Sequence, residues 1–303
     1  MRIFRGFENV DEIRNPVVTT GSFDGVHIGH KTILNRLRLL ADRYQGESVL
    51  ITFDPHPRKV LYPETAGKGL RLINSQEEKM ELLRKAGLDN LIIVEFTREF
   101  SRTTSEEFVR DYLHGKLKAK VVVVGFNHHF GFNKEGDYKQ LWGWREKFKF
   151  EAEEIPEQEV QHETVSSTKI RKAISEGYIQ RANAYLDHYY MVMGKPQFHD
   201  TFSDMLFMKV PLTEECKLLP ATGIYAVSVI SGESNSKGMV IINAGLQDNS
   251  EVLLHIFDDN TPFLHDGTTI LFHKMIYGTI SPSDPGSAAK LAASKKEIAD
   301  LIY

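Results

Sequence analysis

At 303 residues, 41% of them hydrophobic and 26% charged, the chain is long enough for two domains and well enough supplied with apolar residues to give each a core. A formal net charge of -4 argues against a general nucleic-acid binder, while local basic clusters could still hold small anions. The lone Cys216 excludes an intramolecular disulfide and a cysteine-based metal site; no apolar run approaches the roughly 20 residues of a membrane span, and residues 1–5 lack the apolar core of a signal peptide. A cytoplasmic protein without a membrane or nucleic-acid partner is expected.

Residues 17–20 have the β-branched richness of a buried strand, and residues 31–44 place Ile33, Leu34, Leu37, Leu40 and Ala41 at helical spacing. Between them stands Gly21-Ser22-Phe23-Asp24-Gly25-Val26-His27-Ile28-Gly29-His30. A strand-to-helix junction collects free backbone N–H groups and the positive end of the helix dipole, which suits phosphate. His27 and His30 lie three apart across Gly29, so both rings can face one phosphate while the glycine admits close backbone approach. The Walker sequence is absent because no Gly-Lys-Ser/Thr follows, and the dinucleotide fingerprint would need GxGxxG with a distal acid. A turn carrying two solvated histidines is the plainer alternative.

Further along, residues 48–53 read as a strand, and residues 75–86 as a helix with Ser75 at the N-cap and Glu78 in the capping-box position. Residues 91–94 form another strand, and residues 104–113 a helix with Phe108, Val109 and Leu113 on one side. The four valines at 121–124 suit a strand buried on both faces. Such alternation predicts a parallel sheet covered by helices, with ligands beyond the carboxyl ends of its strands. Three of those ends carry unusual residues: the histidine turn, Asp54-Pro55-His56-Pro57-Arg58, and Gly125-Phe126-Asn127-His128-His129-Phe130-Gly131-Phe132 followed by Gly136-Asp137. A proline-stiffened turn or a sheet-capping loop would explain each singly. Together they point to one pocket, with histidines for phosphate and phenylalanines suited to stack on a flat ring.

Val165-Ser166-Ser167-Thr168-Lys169-Ile170-Arg171 then supplies three hydroxyls and two cations around the start of a helix running to about Gly177. N-capping accounts for Ser166 or Ser167. It does not account for Lys169 and Arg171 in the first turn, where the dipole disfavours cations unless an anion is near; a triphosphate would reconcile them. From about Tyr189 the runs become short and β-rich, at 205–210, 223–230, 238–242, 251–257 and 269–276, as in a small antiparallel barrel or sandwich. A final amphipathic helix over 287–302 packs Leu291, Ala292, Ile298 and Leu301. The expected domains are residues 1–187 and 188–303.

The histidine turn and the Ser-Ser-Thr-Lys-Ile-Arg segment resemble the HxGH nucleotidylyltransferases, specifically the bacterial bifunctional riboflavin kinase/FMN adenylyltransferase (FAD synthetase) family. The 54–57 turn resembles that family too, and residues 125–137 resemble its G-(D/N)-x-x-F-G pattern with Gly-Asp beyond. The likeness covers roughly residues 14–187. It implies a Rossmann-like α/β domain followed by a small antiparallel β-barrel with a C-terminal helix. It also implies transfer of AMP from ATP to FMN, giving FAD and pyrophosphate. By resemblance, His27, His30 and Arg171 are catalytic. Gly21, Phe23, Asp24, Gly25, Gly29, Ser167 and Thr168 bind ATP, and Pro55, His56, Pro57, Asn127 and Phe130 lie on the flavin side. A magnesium ion is expected because pyrophosphate leaves, with no residue identifying its ligands.

Residues 218–227 match the family's LPxxGVYAV strand, but the kinase's working parts match badly. Its GFPTAN loop falls on residues 198–206, its NIGxxPT segment on 242–247 and its DLYG turn on 262–267, all with different sequences here. Glu251 stands at the family's general-base position, as a vestigial kinase base. The expectation is a folded barrel without kinase activity, serving packing, oligomerisation or regulation. A non-catalytic flavin or nucleotide sensor, and a fully bifunctional enzyme that also phosphorylates riboflavin, are the alternatives. A homo-oligomer stays open.

Overall fold

The computed structural model describes residues 1–126, 128–157, 159–160, 163–202, 205–243, 251–257, 267–279 and 286–301. Asn127 and most of the kinase-like stretches at 244–247 and 262–266 lie outside them, as do residues 203–204. The chain forms two compact units, Met1–Leu70 with Lys79–Val165 and Arg71–Glu78 with Ser166–Tyr303.

In the first unit the elements are β1 (Arg2–Arg5), β2 (Val17–Thr20), α1 (Ile28–Arg43), β3 (Ser48–Asp54), α2 (Pro57–Leu61), α3 (Gln76–Lys85), β4 (Asn90–Glu95), α4 (Ser105–Glu107), β5 (Val121–Gly125), α5 (Tyr138–Phe148) and β6 (Glu151–Ile155). The first three residues of α3 belong to the second unit. Helix α4 continues in π-type turns over Phe108–Lys116. The strands form a six-stranded sheet in the order β1-β4-β3-β2-β5-β6, parallel throughout. Val17 registers with Ser48 on one side and Val121 on the other. The strand order therefore reverses about β2, which makes the β2/β5 crevice the topological switch point of an open α/β sheet.

Burial explains which elements were legible. All four residues of β2 are buried, as are Val121 to Val124 of β5, because helices cover both faces. Helix α1 buries Ile33, Leu34, Leu37, Leu40 and Ala41, as its spacing predicts, and it starts at Ile28, earlier than the apolar periodicity. The capping box of α3 forms reciprocally: Ser75 Oγ accepts from the Glu78 N–H at 3.2 Å, and Glu78 Oε2 from the Ser75 N–H at 2.9 Å. Strands β1 and β6 give little sequence signal because they are the sheet's edges. Only Phe4 of Arg-Ile-Phe-Arg is buried, and three of the five β6 residues are glutamates.

The second unit continues with α6 (Ser167–Ser175), α7 (Ile179–Leu186), β9 (Tyr190–Gly194), β10 (Gln197–Phe202), β11 (Met205–Lys209), β12 (Gly223–Ser231), β13 (Ser234–Asn243), β14 (Glu251–Ile256), β15 (Thr268–Tyr277) and α8 (Ser287–Asp300), a short β7/β8 ribbon (Glu159–Val160, Glu163–Thr164) preceding it in the chain. Its strands form an antiparallel sheet in the order β10-β11-β14-β13-β12-β15-β9, curled into a half-barrel. Leu291 and Ile298 of α8 pack on Met205, Phe207, Ile224, Ala226 and Met239. Helix α7 packs on β9 and β15, and α6 and α7 belong to this unit.

One buried ion pair belongs wholly to the second unit. Lys217 Nζ lies 2.5 Å from Glu78 Oε2, with the two side chains 2% and 1% exposed. The ammonium also donates to the carbonyls of Ile73 (2.6 Å) and Met191 (2.8 Å) and sits over the Tyr190 ring, while Glu78 Oε1 accepts from the Met193 N–H. Both charged groups thus find charge-assisted partners, which a buried pair requires.

Candidate active site

A cavity of about 540 Å³ opens at the carboxyl edge of the parallel sheet, lined by residues that follow β2, β3, β4, β5 and β6. That volume lies in the range of small-molecule sites.

The turn after β2 forms its floor. The Gly21 N–H donates to the Ile51 carbonyl at 3.0 Å, and the Thr52 hydroxyl donates to the Ser22 carbonyl at 3.3 Å, tying the turn to β3. The backbone then passes through the left-handed region at Phe23 (φ 48°), Gly25 (φ 92°) and Val26 (φ 41°). For a β-branched residue such as Val26 this conformation costs on the order of 1–3 kcal/mol, and such strain persists where surrounding structure enforces it. Val26 is buried and so is Asp24, which shows the enclosure that does so.

His27 occupies the N-cap of α1 with extended backbone, and His30 lies in the helix's first turn. Their rings stack at a centroid distance of 3.7 Å and an interplanar angle of 18°; Phe23 stacks on the other side of His30 at 4.4 Å and 21°. Gly29 makes room for this arrangement. A Cβ there would come within 3.3 Å of Cε1 and Nδ1 of His27, and one at Gly21 within 3.1 Å of the Phe23 ring. Burial, His27 and Lys79 hold the His30 imidazole well below its ordinary range, so it is neutral. Its Nδ1 is buried with no hydrogen-bond partner among the described residues. A neutral imidazole at a helix N-terminus offers an N–H donor to an anion without an added charge.

An aromatic wall rises opposite. Phe53, Phe96, Phe100, Phe108 and Phe130 follow one another at centroid distances of 5.4 to 6.5 Å. Phe130 is held by paired backbone hydrogen bonds with Gly136, and Gly131 crosses Ser105 so closely that a Cβ would lie 2.5 Å from the Ser105 nitrogen. His128 also lines the cavity; burial and neighbouring His129 bring its pKa down to about 4, so it too is neutral. Arg58 and Lys134 add cationic groups to the lining. His56 caps α2, its Nδ1 accepting from the Arg58 N–H at 3.2 Å, with Pro57 at the helix's first position.

Gly21, Phe23, His27, Gly29, His30, His56, Pro57 and Phe130 of the expected set therefore line this one cavity. Asp24 and Gly25 lie within its turn but not on its wall. Pro55, which follows a cis peptide bond, lines a neighbouring cavity with Arg5, Glu8 and Tyr112. Ser166 is the N-cap of α6, its Oγ accepting from the Lys169 N–H at 3.4 Å, which makes Ser167 and Thr168 the first two helical residues and puts Arg171 in the following turn. These residues belong to the second unit.

Sequence reasoning missed Phe96, Phe100 and Lys79. The phenylalanines follow the carboxyl end of β4, a sheet edge position that the three motif-bearing ends overshadowed. Lys79 carried a usable signal, a cation in the first half of a helix, the same anomaly that drew notice to Lys169. In the second unit Glu251 opens β14, and its carboxylate accepts from Lys209 Nζ on β11 at 2.6 Å. Among the described residues no three or more His, Cys, Asp or Glu side chains converge as a metal site, and no helix is long and apolar enough to cross a membrane.

The sequence model of the family described as FAD synthetase matches residues 10–169. A bifunctional riboflavin kinase/FMN adenylyltransferase of Listeria monocytogenes is 30% identical over 269 residues, spanning 87% of this chain and 81% of that protein. One from Escherichia coli K12 is 28% identical over 269 residues, spanning 85% and 84%. A crystal structure described as a macrolide-efflux protein from Streptococcus pneumoniae matches with a TM-score of 0.88 over 100% of both chains, at 22% identity, which is a likeness of fold.

Proposed function

Because the chain belongs to the FAD synthetase family, we propose that its first unit transfers AMP from ATP to FMN. A phosphate oxygen of FMN attacks the α-phosphorus of ATP, the bond from that phosphorus to the bridging oxygen breaks, and pyrophosphate departs as FAD forms. Such a transfer asks the protein for in-line positioning and for neutralisation of charge on the phosphate oxygens, with little covalent help.

The observation that carries this reading is the Phe23–His30–His27 stack at the start of α1, on the floor of an aromatic-walled cavity. The neutral His30 donates an N–H to an α-phosphate oxygen, the α1 N-terminus adds its dipole, and Gly29 lets the phosphates approach the backbone. The phenylalanine wall receives the flavin ring. Ser167, Thr168 and Arg171 bind the triphosphate, as the family resemblance implies. Asn127, Pro55, His56, Pro57 and Phe130 serve the flavin side on the same ground. Magnesium would neutralise phosphate charge when bound. It commonly enters on nucleotide phosphates with several waters. A cytoplasmic location fits these substrates.

For the second unit we infer a barrel that no longer phosphorylates riboflavin. The sequence departs from the kinase pattern at 198–206, 242–247 and 262–267, and the carboxylate at the general-base position is engaged by Lys209 Nζ at 2.6 Å.

Purified protein is incubated with riboflavin plus Mg-ATP and, separately, with FMN plus Mg-ATP, and the flavins are separated by chromatography. FAD from FMN and no FMN from riboflavin is the expected pair. FMN from riboflavin would overturn the inference about the barrel. No FAD from FMN, with flavin and nucleotide binding intact, would replace the transferase reading by that of a sensor.

A further inference from the structure

Lys79 is a buried cation to which the reaction above assigns no task. The residue is 7% exposed and sits near the start of α3, where the helix dipole disfavours positive charge. Burying an ammonium is costly, so the atoms its nitrogen meets bear on why it is there. Nζ lies 3.4 Å from Thr52 Oγ1 and 3.5 Å from the Ser22 carbonyl oxygen, and the Thr52 hydroxyl donates to that same carbonyl at 3.3 Å. These are long contacts, but a charged donor in a low-dielectric interior acts strongly at such range.

The position of that carbonyl matters. The Ser22 carbonyl and the Phe23 nitrogen share one rigid peptide plane, so fixing the oxygen constrains the rotation that sets the φ of Phe23. Phe23 is one of the turn's left-handed residues, and its ring is the outer member of the Phe23–His30–His27 stack. We propose that Lys79 is a positioning residue for adenylyl transfer, its ammonium and the Thr52 hydroxyl together clamping the Ser22–Phe23 peptide plane and thereby setting the histidine stack. The proposal rests on the transferase reading of the first unit. The same ammonium also acts through space on His30. The charged and titratable groups acting on that imidazole are His27 from the N-cap of α1 and Lys79 from α3, and both keep it neutral, while Phe23 on its other face carries no charge.

The test uses the full chain with Lys79→Met, Lys79→Arg and Thr52→Val. FAD formation from FMN and Mg-ATP gives kcat and KM, and NMR of protein labelled with ¹⁵N at histidine follows the His30 titration. Lys79→Met is expected to lower kcat by about tenfold to a hundredfold, with the KM for FMN nearly unchanged, and to move the His30 titration upward. Lys79→Arg should restore most of both. Thr52→Val keeps the charge while loosening the clamp, so kcat falls and the titration stays. A folded Lys79→Met with wild-type kcat and an unmoved His30 overturns the proposal. If Lys79→Met does not fold, Thr52→Val with wild-type kcat overturns it. If the wild-type protein makes no FAD, the transferase reading fails, and an unmoved His30 titration in Lys79→Met still counts against Lys79 acting on the histidine stack.

Discussion

Gly29→Ala separates the chemistry of the histidine turn from its contribution to folding. Gly29 is the second residue of α1 and its backbone is not in the left-handed region, so alanine meets no conformational penalty there. Alanine gains up to about 1 kcal/mol of helix propensity over glycine, and less in a first turn. Against this, the new Cβ would stand 3.3 Å from Cε1 and Nδ1 of His27, closer than the roughly 3.5–4.0 Å at which carbon contacts are most favourable. The His27 ring must give by a few tenths of an ångström, and His30 lies stacked against it at 3.7 Å, so the displacement enters the histidine pair on the cavity floor. Misplacement by about 1 Å costs on the order of a hundredfold in rate, so the smaller shift here should cost about tenfold. The expected variant melts within a few degrees of wild type, while its initial rate of FAD formation, followed by chromatography with saturating FMN and Mg-ATP, falls about tenfold. Wild-type kcat in a stably folded Gly29→Ala would refute the view that this glycine clears space for the ring. Gly131→Ala is the contrasting control: there the φ is +75° and the added carbon would lie 2.5 Å from the Ser105 nitrogen, so stability should fall along with activity.

Three further outcomes are expected. His30→Ala should keep the fold and lose adenylyl transfer by about 10²–10³-fold, the usual effect of removing one transition-state donor; full rate in that variant would remove the turn from the mechanism. Lys217→Met leaves the Glu78 carboxylate buried without its cation and should cost about 3–5 kcal/mol in urea unfolding, with Lys217→Met/Glu78→Gln recovering part of it; a loss under about 1 kcal/mol would contradict the enclosed pair. His128 has a native pKa of about 4, below its ordinary 6.5, so the unfolded chain takes up its proton first. Its contribution to stability is therefore full above about pH 6.5 and is lost as the pH falls toward 4. His128→Gln should flatten the decline of the urea midpoint between pH 7 and pH 4.5, and an unaltered slope would show that His128 is protonated in the folded protein.

Much of the first unit was legible because its strongest signals are local. The valines of β2 and β5, the apolar face of α1 and the strand-to-helix glycines each follow from the conformational preferences of a few neighbouring residues. Edge strands β1 and β6 were not, since a strand with one neighbour and exposed side chains needs no apolar pattern. The second unit's strands at 205–210, 223–230 and 251–257 were read nearly where they lie, but not their seven-stranded order, because antiparallel pairing joins residues far apart in the chain.

By itself the sequence determined that a phosphate-suited turn with two histidines would end a buried parallel strand, because the glycine spacing and the strand-to-helix handover act over ten residues. Tertiary structure decided what that turn faces. It drew Phe96 and Phe100 from the end of β4 into the aromatic wall, gave Pro55 to a neighbouring cavity, and brought Lys79 from α3 against the Ser22 carbonyl. Those placements depend on strand order and on helices packing across tens of residues, and no local preference encodes them.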